Sequence, residues 1–316
     1  KKTRLFFRFK DKNPRIPQKT FYNFTELKYH SKQNNERKKR SKMEKGYRRM
    51  KKIIVLLSAL VLAFCLVGCG GNTEGNATAT PAPKTDYETL KEKGKMVVGI
   101  TLYEPMNYKD SEGVLIGFDT EFAQAVGKKL GLDVEFFIID WNNKFFELQS
   151  GAIDCIWNGM TFTEEVEKNT SFSKPYVKNA QVVVMAADKV DSYTTAESMK
   201  DLKFAAEAGS AGEKLIKEKG FEKYTAVTAQ SDALLEVASG SADACVIDIT
   251  MANSMTGEGT SYANLKPGIA LSSEEYVIGF RKGSDMTEKV NAIIDEMMKD
   301  GSLQALADKY SLTLVK

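Results

Sequence analysis

Between residues 95 and 310 the chain alternates two hydrophobic rhythms. Residues 95–102 (KMVVGITL) form a nearly continuous apolar run of strand length, and residues 118–130 place Phe122, Ala125, Val126 and Leu130 at helical spacing before Gly131 stops them. The same logic predicts strands at 134–139, 152–157, 181–186, 203–206, 242–249 and 275–281, and helices at 145–149, 213–218, 232–239 and 287–310. Strands interleaved with helices of about ten residues predict an α/β architecture, with mostly parallel sheets flanked by helices.

One pattern occurs twice. Leu148 to Ile156 and Val237 to Val246 each run helix end, Ser-Gly stop, Asp-bearing turn and apolar strand (LQSGAIDCI and VASGSADACV). That echo is the expectation for two lobes built alike.

The front of the chain has another character. Residues 1–49 are basic and lack apolar periodicity, and they are expected to be disordered or an over-extended start. Met50-Lys51-Lys52 then precedes an uncharged run, 53–67, and the tetrad Leu66-Val67-Gly68-Cys69. A basic segment, a short apolar run and small residues are the parts of a secretory signal, and the run is shorter than the ~20 residues a membrane span needs. The tetrad resembles the lipobox of bacterial lipoproteins, which would make Cys69 the lipidated N-terminus; an ordinary signal with an incidental Cys is the alternative. The polar segment 70–86, with Pro81 and Pro83, has the composition of a flexible tether.

Charge changes the picture. Of 45 Lys+Arg and 42 Asp+Glu, residues 1–69 hold 20 and 4, so the body carries about −13. A phosphate-binding surface needs the opposite sign, so nucleic acid is not an expected partner. The only histidine is His30 in the front segment, which removes Ser-His-Asp chemistry and His-ligated zinc from the body. Neither a metal nor a cofactor is expected. Cys155 and Cys245 fall in separate apolar strands and are expected as buried thiols.

Several motifs over residues 95–314 together resemble one family. They are Val98-Gly99 with Tyr103-Glu104-Pro105-Met106, Gly117-Phe118-Asp119, the 148–156 passage, Thr161 to Glu165 with Phe172 to Tyr176, and Asp300 to Leu303. In order and spacing they resemble the type II solute-binding proteins of polar amino-acid ABC transporters. That resemblance implies a two-lobed type II periplasmic-binding fold: lobe one from 87–178 and 278–316, lobe two from 179–277, joined by two hinge crossings near 176–183 and 273–278. The solute would sit between the lobes, at strand ends and helix starts, and closure would be a hinge motion.

Position by position, the resemblance makes Tyr103 and Trp141 aromatic walls for an ammonium or apolar group. Asn158, Gly159 and Thr161 become a contact loop, Ser210 the start of a helix whose free N–H groups suit a carboxylate, and Asp248 the acceptor of an α-ammonium. Each has a plainer alternative: a turn residue, a packing residue, a helix cap, a solvated acid. One departure stands out. Where the family places an Arg to grip the α-carboxylate, this chain has Val166, and Arg281 is the body's single Arg. Lys168 or helix-terminal donors would have to substitute, or the solute presents no carboxylate there.

The expected function is therefore a monomeric, lipid-anchored, extracytoplasmic receptor. It would bind a small polar solute, an amino acid or derivative, and deliver it to an ABC permease and its ATPase. The alternatives are an enzyme on the same fold, such as a cyclohexadienyl dehydratase, or a ligand-sensing domain.

Overall fold

The computed structural model describes residues 83–316; the basic front segment, the signal sequence, Cys69 and the tether up to residue 82 lie outside the described residues. The first element is a helix the apolar pattern missed, α1 (Asp86–Lys93), because only Leu90 of its eight residues is buried. A capping box starts it: the Thr85 hydroxyl accepts the Glu88 N–H at 3.2 Å, and the Glu88 carboxylate accepts the Thr85 N–H at 3.0 Å.

The chain then builds β1 (Lys95–Ile100), a short ribbon of β2 (Tyr108–Lys109) and β3 (Leu115–Ile116), α2 (Phe118–Leu130), β4 (Asp133–Ile138), α3 (Lys144–Ser150), β5 (Cys155–Ile156), α4 (Glu164–Asn169) and β6 (Ser171–Phe172). β7 (Val177–Asn179) leads to β8 (Gln181–Ala186), β9 (Phe204–Glu207), α5 (Ala211–Glu218), β10 (Tyr224–Val227), α6 (Gln230–Ala238), β11 (Ala244–Asp248), α7 (Ile249–Met255) and β12 (Leu265–Ala270). A return through β13 (Glu274–Tyr276) and β14 (Gly279–Phe280) ends in α8 (Met286–Lys299) and α9 (Ser302–Lys309).

Two five-stranded sheets result, in the orders β4-β1-β5-β14-β6 and β10-β9-β11-β8-β12. In each, four strands run one way and the fourth in spatial order runs against them: β14 in the first sheet, β8 in the second. Both reversed strands are the ones that arrive from a crossing segment. The crossings pair with each other, Glu274 opposite Asn179 and Tyr276 opposite Val177, and residues 313–315 run along the outer edge of β7. The hinge is thus a narrow hydrogen-bonded ribbon rather than two independent loops.

The sequence echo has a structural cause. After α3, the Asp154 carboxylate accepts the Val97 N–H at 2.9 Å while the Asp154 N–H donates to the Val97 carbonyl at 2.7 Å. After α6, Asp243 does the same with Lys203, at 2.9 and 2.8 Å. In each lobe an aspartate therefore clamps the strand entering the sheet centre to the first strand beside it. Gly151 and Gly240, both at positive φ, end the preceding helices.

Three predicted elements come out differently. Residues 275–281 are two short strands, because the chain leaves the crossing ribbon at Tyr276 before it joins the first sheet at Gly279. Residues 287–310 break into two helices at Gly301, φ +77°. The strand predicted at 152–157 pairs only over Cys155–Ile156, since the chain turns into the cleft beyond it. Cys155 and Cys245 are buried free thiols, one in each sheet, and burial pushes both up from the usual thiol range. Arg281 is structural: it donates to the Ile153 carbonyl at 3.0 Å and pairs with Asp154 and Asp86 at 3.3 Å each.

Candidate functional site

The C-terminal ends of β1, β5, β9 and β11 converge on a cleft with some 580 Å³ of unfilled space, part of it open to solvent. Tyr103, Trp141, Asn158, Gly159, Thr161, Ser210 and Asp248 all line it. The structure brings the seven residues together from five separate segments of the chain.

Tyr103 follows β1 and is 2% exposed. Its hydroxyl shares hydrogen bonds with Thr250 Oγ1 and Tyr276 Oη, fixing the ring across the floor of the cleft. Gly159 lies against that ring. A Cβ at 159 would come within 2.6 Å of the Tyr103 ring and 3.2 Å of Tyr276, and φ is +54°, so both space and backbone call for glycine. The Gly159 N–H donates at 2.6 Å to Asp119, whose buried carboxylate also accepts the Tyr176 hydroxyl at 3.0 Å. Burial pushes Asp119 up to about 7.

Asn158 is spent on the scaffold. Its Oδ1 accepts the Thr101 N–H (3.0 Å) and hydroxyl (2.8 Å), and its Nδ2 donates to the Thr101 carbonyl (2.9 Å) and Asn107 Oδ1 (2.7 Å). With both amide donors used, what it does is hold the cleft loop to the end of β1. Thr161 donates to Glu274 at 2.9 Å, linking the loop to the hinge. Ser210 is the cap of α5, its Oγ accepting the Glu213 N–H at 3.1 Å. The N–H groups of Ala211 and Gly212 next to it have no acceptor within the helix by geometry.

Asp248 ends β11, 3% exposed. Its carboxylate accepts from the side-chain amides of Asn179, Gln181 (2.9 Å) and Gln230, while its own N–H donates to Gln230 Oε1 at 2.9 Å. Burial, reinforced by the nearby Glu274 carboxylate, nevertheless pushes it up to about 7. The three amides orient the carboxylate without neutralising it, which is the arrangement a cationic group would complete.

Val166 lies on α4, 2% exposed, in an apolar cluster with Ile139, Trp141, Leu148, Ile153 and Met160. Lys168, the substitute cation suggested by the sequence, is exposed and does not line the cleft. Sequence reasoning missed Lys144 and Glu207. Lys144 starts α3 and is 5% exposed; Glu207 ends β9, is 3% exposed, and its Oε1 has no hydrogen-bond partner. Burial and the neighbouring Asp248 push Glu207 up to about 8. Neither carried a signal in the sequence: Lys144 opens a short helix and Glu207 ends a strand just before the Gly209-Ser210 turn, and a charge at the end of an element is the ordinary surface pattern.

Comparison with known proteins fits this geometry. Residues 96–313 match the model of the bacterial extracellular solute-binding proteins, family 3. The arginine-binding extracellular protein ArtP of Bacillus subtilis is 30% identical over 270 residues, covering 83% of this chain and 98% of ArtP. The L-cystine-binding protein TcyJ of Escherichia coli K12 is 29% identical, covering 70% of this chain and 84% of TcyJ. Among solved structures, an ancestral arginine-binding protein bound to arginine superposes with TM-score 0.64 at 36% identity, covering 69% of this chain and 98% of the other. An ancestral amino-acid-binding protein described as a precursor of cyclohexadienyl dehydratase gives TM-score 0.66 at 31% identity, covering 71% and 98%.

Proposed function

The chain belongs to the bacterial extracellular solute-binding proteins, family 3, and from that membership we propose that it captures an amino acid or amino-acid derivative and hands it to an ABC importer. Its extracytoplasmic, solute-binding role is common to its curated relatives, which are named for binding arginine, cystine and glutamine among others. The observation that carries the amino-containing solute is Asp248: a buried carboxylate held by three amides, facing a cleft, and pushed towards protonation when that cleft holds no cation. We assign Tyr103, Trp141, Asn158, Gly159, Thr161 and Ser210 to the same binding site, with Asn158 shaping it through its side-chain amide and Gly159 through its backbone.

Closure follows from the hinge. With lobe one taken as 87–178 and 278–316, and lobe two as 179–277, the two move about the β7–β13 ribbon, and a solute spanning the cleft favours the closed form by its extra contacts there. Native mass spectrometry of protein purified without refolding should show a bound small solute, and small-angle scattering should show a smaller radius of gyration with that solute than without it. Tight binding without compaction would contradict a cleft between moving lobes.

Binding rather than catalysis is our reading of the cleft. Glu207, pushed up to about 8, is the group an enzyme could use as a general acid, yet the body supplies no histidine to accompany it, and the curated relatives named above are binding proteins. Turnover of a cyclohexadienyl substrate by the purified protein would overturn this assignment.

We further propose that Cys69 carries the lipid that holds the receptor at the membrane, with 70–86 as its tether. Cys69→Ala should move the protein from the membrane fraction to the soluble one; unchanged fractionation, with an unlipidated N-terminal peptide, would refute the anchor.

A further inference from the structure

Among the described residues two cations line the cleft, and only one is built into it. Lys214, on the exposed side of α5, lies 3.7 Å from Glu218 with half its side chain in solvent. Lys144 is buried. Its Nζ donates to the Trp141 carbonyl at 3.3 Å and, across the cleft, to the Gly209 carbonyl at 3.0 Å. It also lies 4.9 Å from the centroid of the Trp141 ring and 4.8 Å from that of Phe145. An ammonium has three N–H donors, so the two carbonyls leave one uncommitted. No ion pair is formed by Lys144 among the described residues, although Glu165 and Glu207 are near enough to favour its charged form. A buried ammonium satisfied only by carbonyl dipoles and ring faces lacks the counter-ion that normally accompanies burial.

The surroundings decide what that counter-ion is. On the α4 side the wall is Val166 with Trp141 and Met160; the Thr161 hydroxyl beside them already donates to Glu274 and the Thr163 hydroxyl accepts the Val166 N–H, and the described residues place no cation there. On the lobe-two side, the carbonyl that Lys144 grips belongs to the turn that opens α5, and the Ala211 and Gly212 N–H groups start one residue beyond Ser210. Lys144 and the Ser210-Ala211 start of that helix therefore line the same cleft, from opposite lobes.

We propose that the Lys144 ammonium is the anchor for the solute's carboxylate, shared with the first N–H groups of α5, so that the carboxylate ties lobe one to lobe two. This rests on the amino-acid reading above. The buried acids that line the cleft, Glu207 and Asp248, then face the solute's cationic groups, and the solute's polarity in the cleft is fixed: carboxylate towards Lys144, ammonium towards Asp248.

The test pairs each amino acid with the amine that lacks its carboxylate: L-arginine with agmatine, L-histidine with histamine, L-cystine with cystamine. Calorimetric titration is done on the unmodified protein, Lys144→Met and Lys144→Arg. The unmodified protein should prefer the acid to its amine by about 10- to 100-fold, the range of a charge-assisted hydrogen bond. Lys144→Met should lose that preference by weakening the acid alone, with the amine changed less than about threefold; Lys144→Arg should keep the preference. A merely structural lysine would weaken acid and amine together. An unchanged acid-to-amine ratio in Lys144→Met, or an unmodified protein that binds the amine as well as the acid, overturns the assignment of Lys144 and leaves solute binding intact. The second of these holds even if Lys144→Met fails to fold. Binding of none of the six compounds by the unmodified protein would overturn the amino-acid reading and this inference with it.

Discussion

Without solute, the protein should melt at a higher temperature at pH 5 than at pH 8. Asp119 and Asp248 are pushed up to about 7, and Glu207 to about 8, chiefly because burial disfavours their charged forms. In an unfolded chain the same groups titrate near ~4. Folded pKa values above unfolded ones mean that the native state holds more protons between roughly pH 4 and 8. Their stabilisation is complete below that window and is lost as pH rises through it. Lys144 is pushed the opposite way by burial, so its titration works against this trend rather than adding to it. A tenfold difference in proton affinity between the folded and unfolded chain corresponds to about 1.4 kcal/mol. Three groups should therefore cost at least about 3 kcal/mol in total, or a fall in Tm of about 6–12 °C for a body of this size. Bound solute should oppose the trend, because a cation against Asp248 favours the carboxylate; its thermal protection should grow from pH 5 to pH 8. Calorimetric melts at constant ionic strength decide the matter: a Tm that is flat or rises over that range would mean these acids are ionised and compensated in the native cleft.

The strongly patterned parts of the fold were legible in the sequence, for stated reasons. β8 and β11 are apolar runs buried on both faces, and α2 shows a clear helical stripe, so periodicity located them. The repeated Ser-Gly-x-x-Asp passage was legible because a clamp made of one carboxylate and one N–H needs its residues at fixed spacing. α1 was not legible because only Leu90 of it is buried; tertiary contacts at its start, such as the Tyr87 N–H to Asp285 bond at 2.9 Å, hold it in place. β10 and β12 were missed because their faces are largely exposed or half-buried.

In the cleft, the residues the motifs pointed to do lie together, but their polar atoms are not all free to bind. Asn158 is consumed by Thr101 and Asn107, and that could not be read from a Trp-Asn-Gly tripeptide. Lys144 and Glu207 were missed for the opposite reason. Each looks like an ordinary surface charge until the fold swings α3 of one lobe against the Gly209 turn of the other. A charge becomes costly, and so informative, only when burial is known.

Asp248→Asn should be the most damaging single change to binding. In the native protein both carboxylate oxygens accept: Oδ1 from Asn179 and Gln181, Oδ2 from Gln230. Asparagine can present one oxygen. If that oxygen takes the Asn179 and Gln181 donors, the new NH₂ faces the Gln230 NH₂, donor against donor. Gln230 could turn its amide over only by giving up the bond its Oε1 accepts from the residue-248 N–H, now 2.9 Å. The substitution therefore removes the charge that would meet the solute's ammonium and disorders the amides that aim it. Leaving a buried cation without its partner typically costs about 2–5 kcal/mol, so affinity should fall by about 30-fold or more. The empty protein should not suffer in the same way at pH 8, where the native carboxylate carries an uncompensated buried charge; its Tm there should be equal to or above that of the unmodified protein. Titration of L-arginine, L-cystine, L-glutamine and L-histidine, carried out with melts of both proteins, separates the effects. A fall of less than about threefold in affinity for the best-bound of the four, in a variant that melts normally, would place the solute's cation elsewhere, with Glu207 the remaining buried acid lining the cleft to receive it.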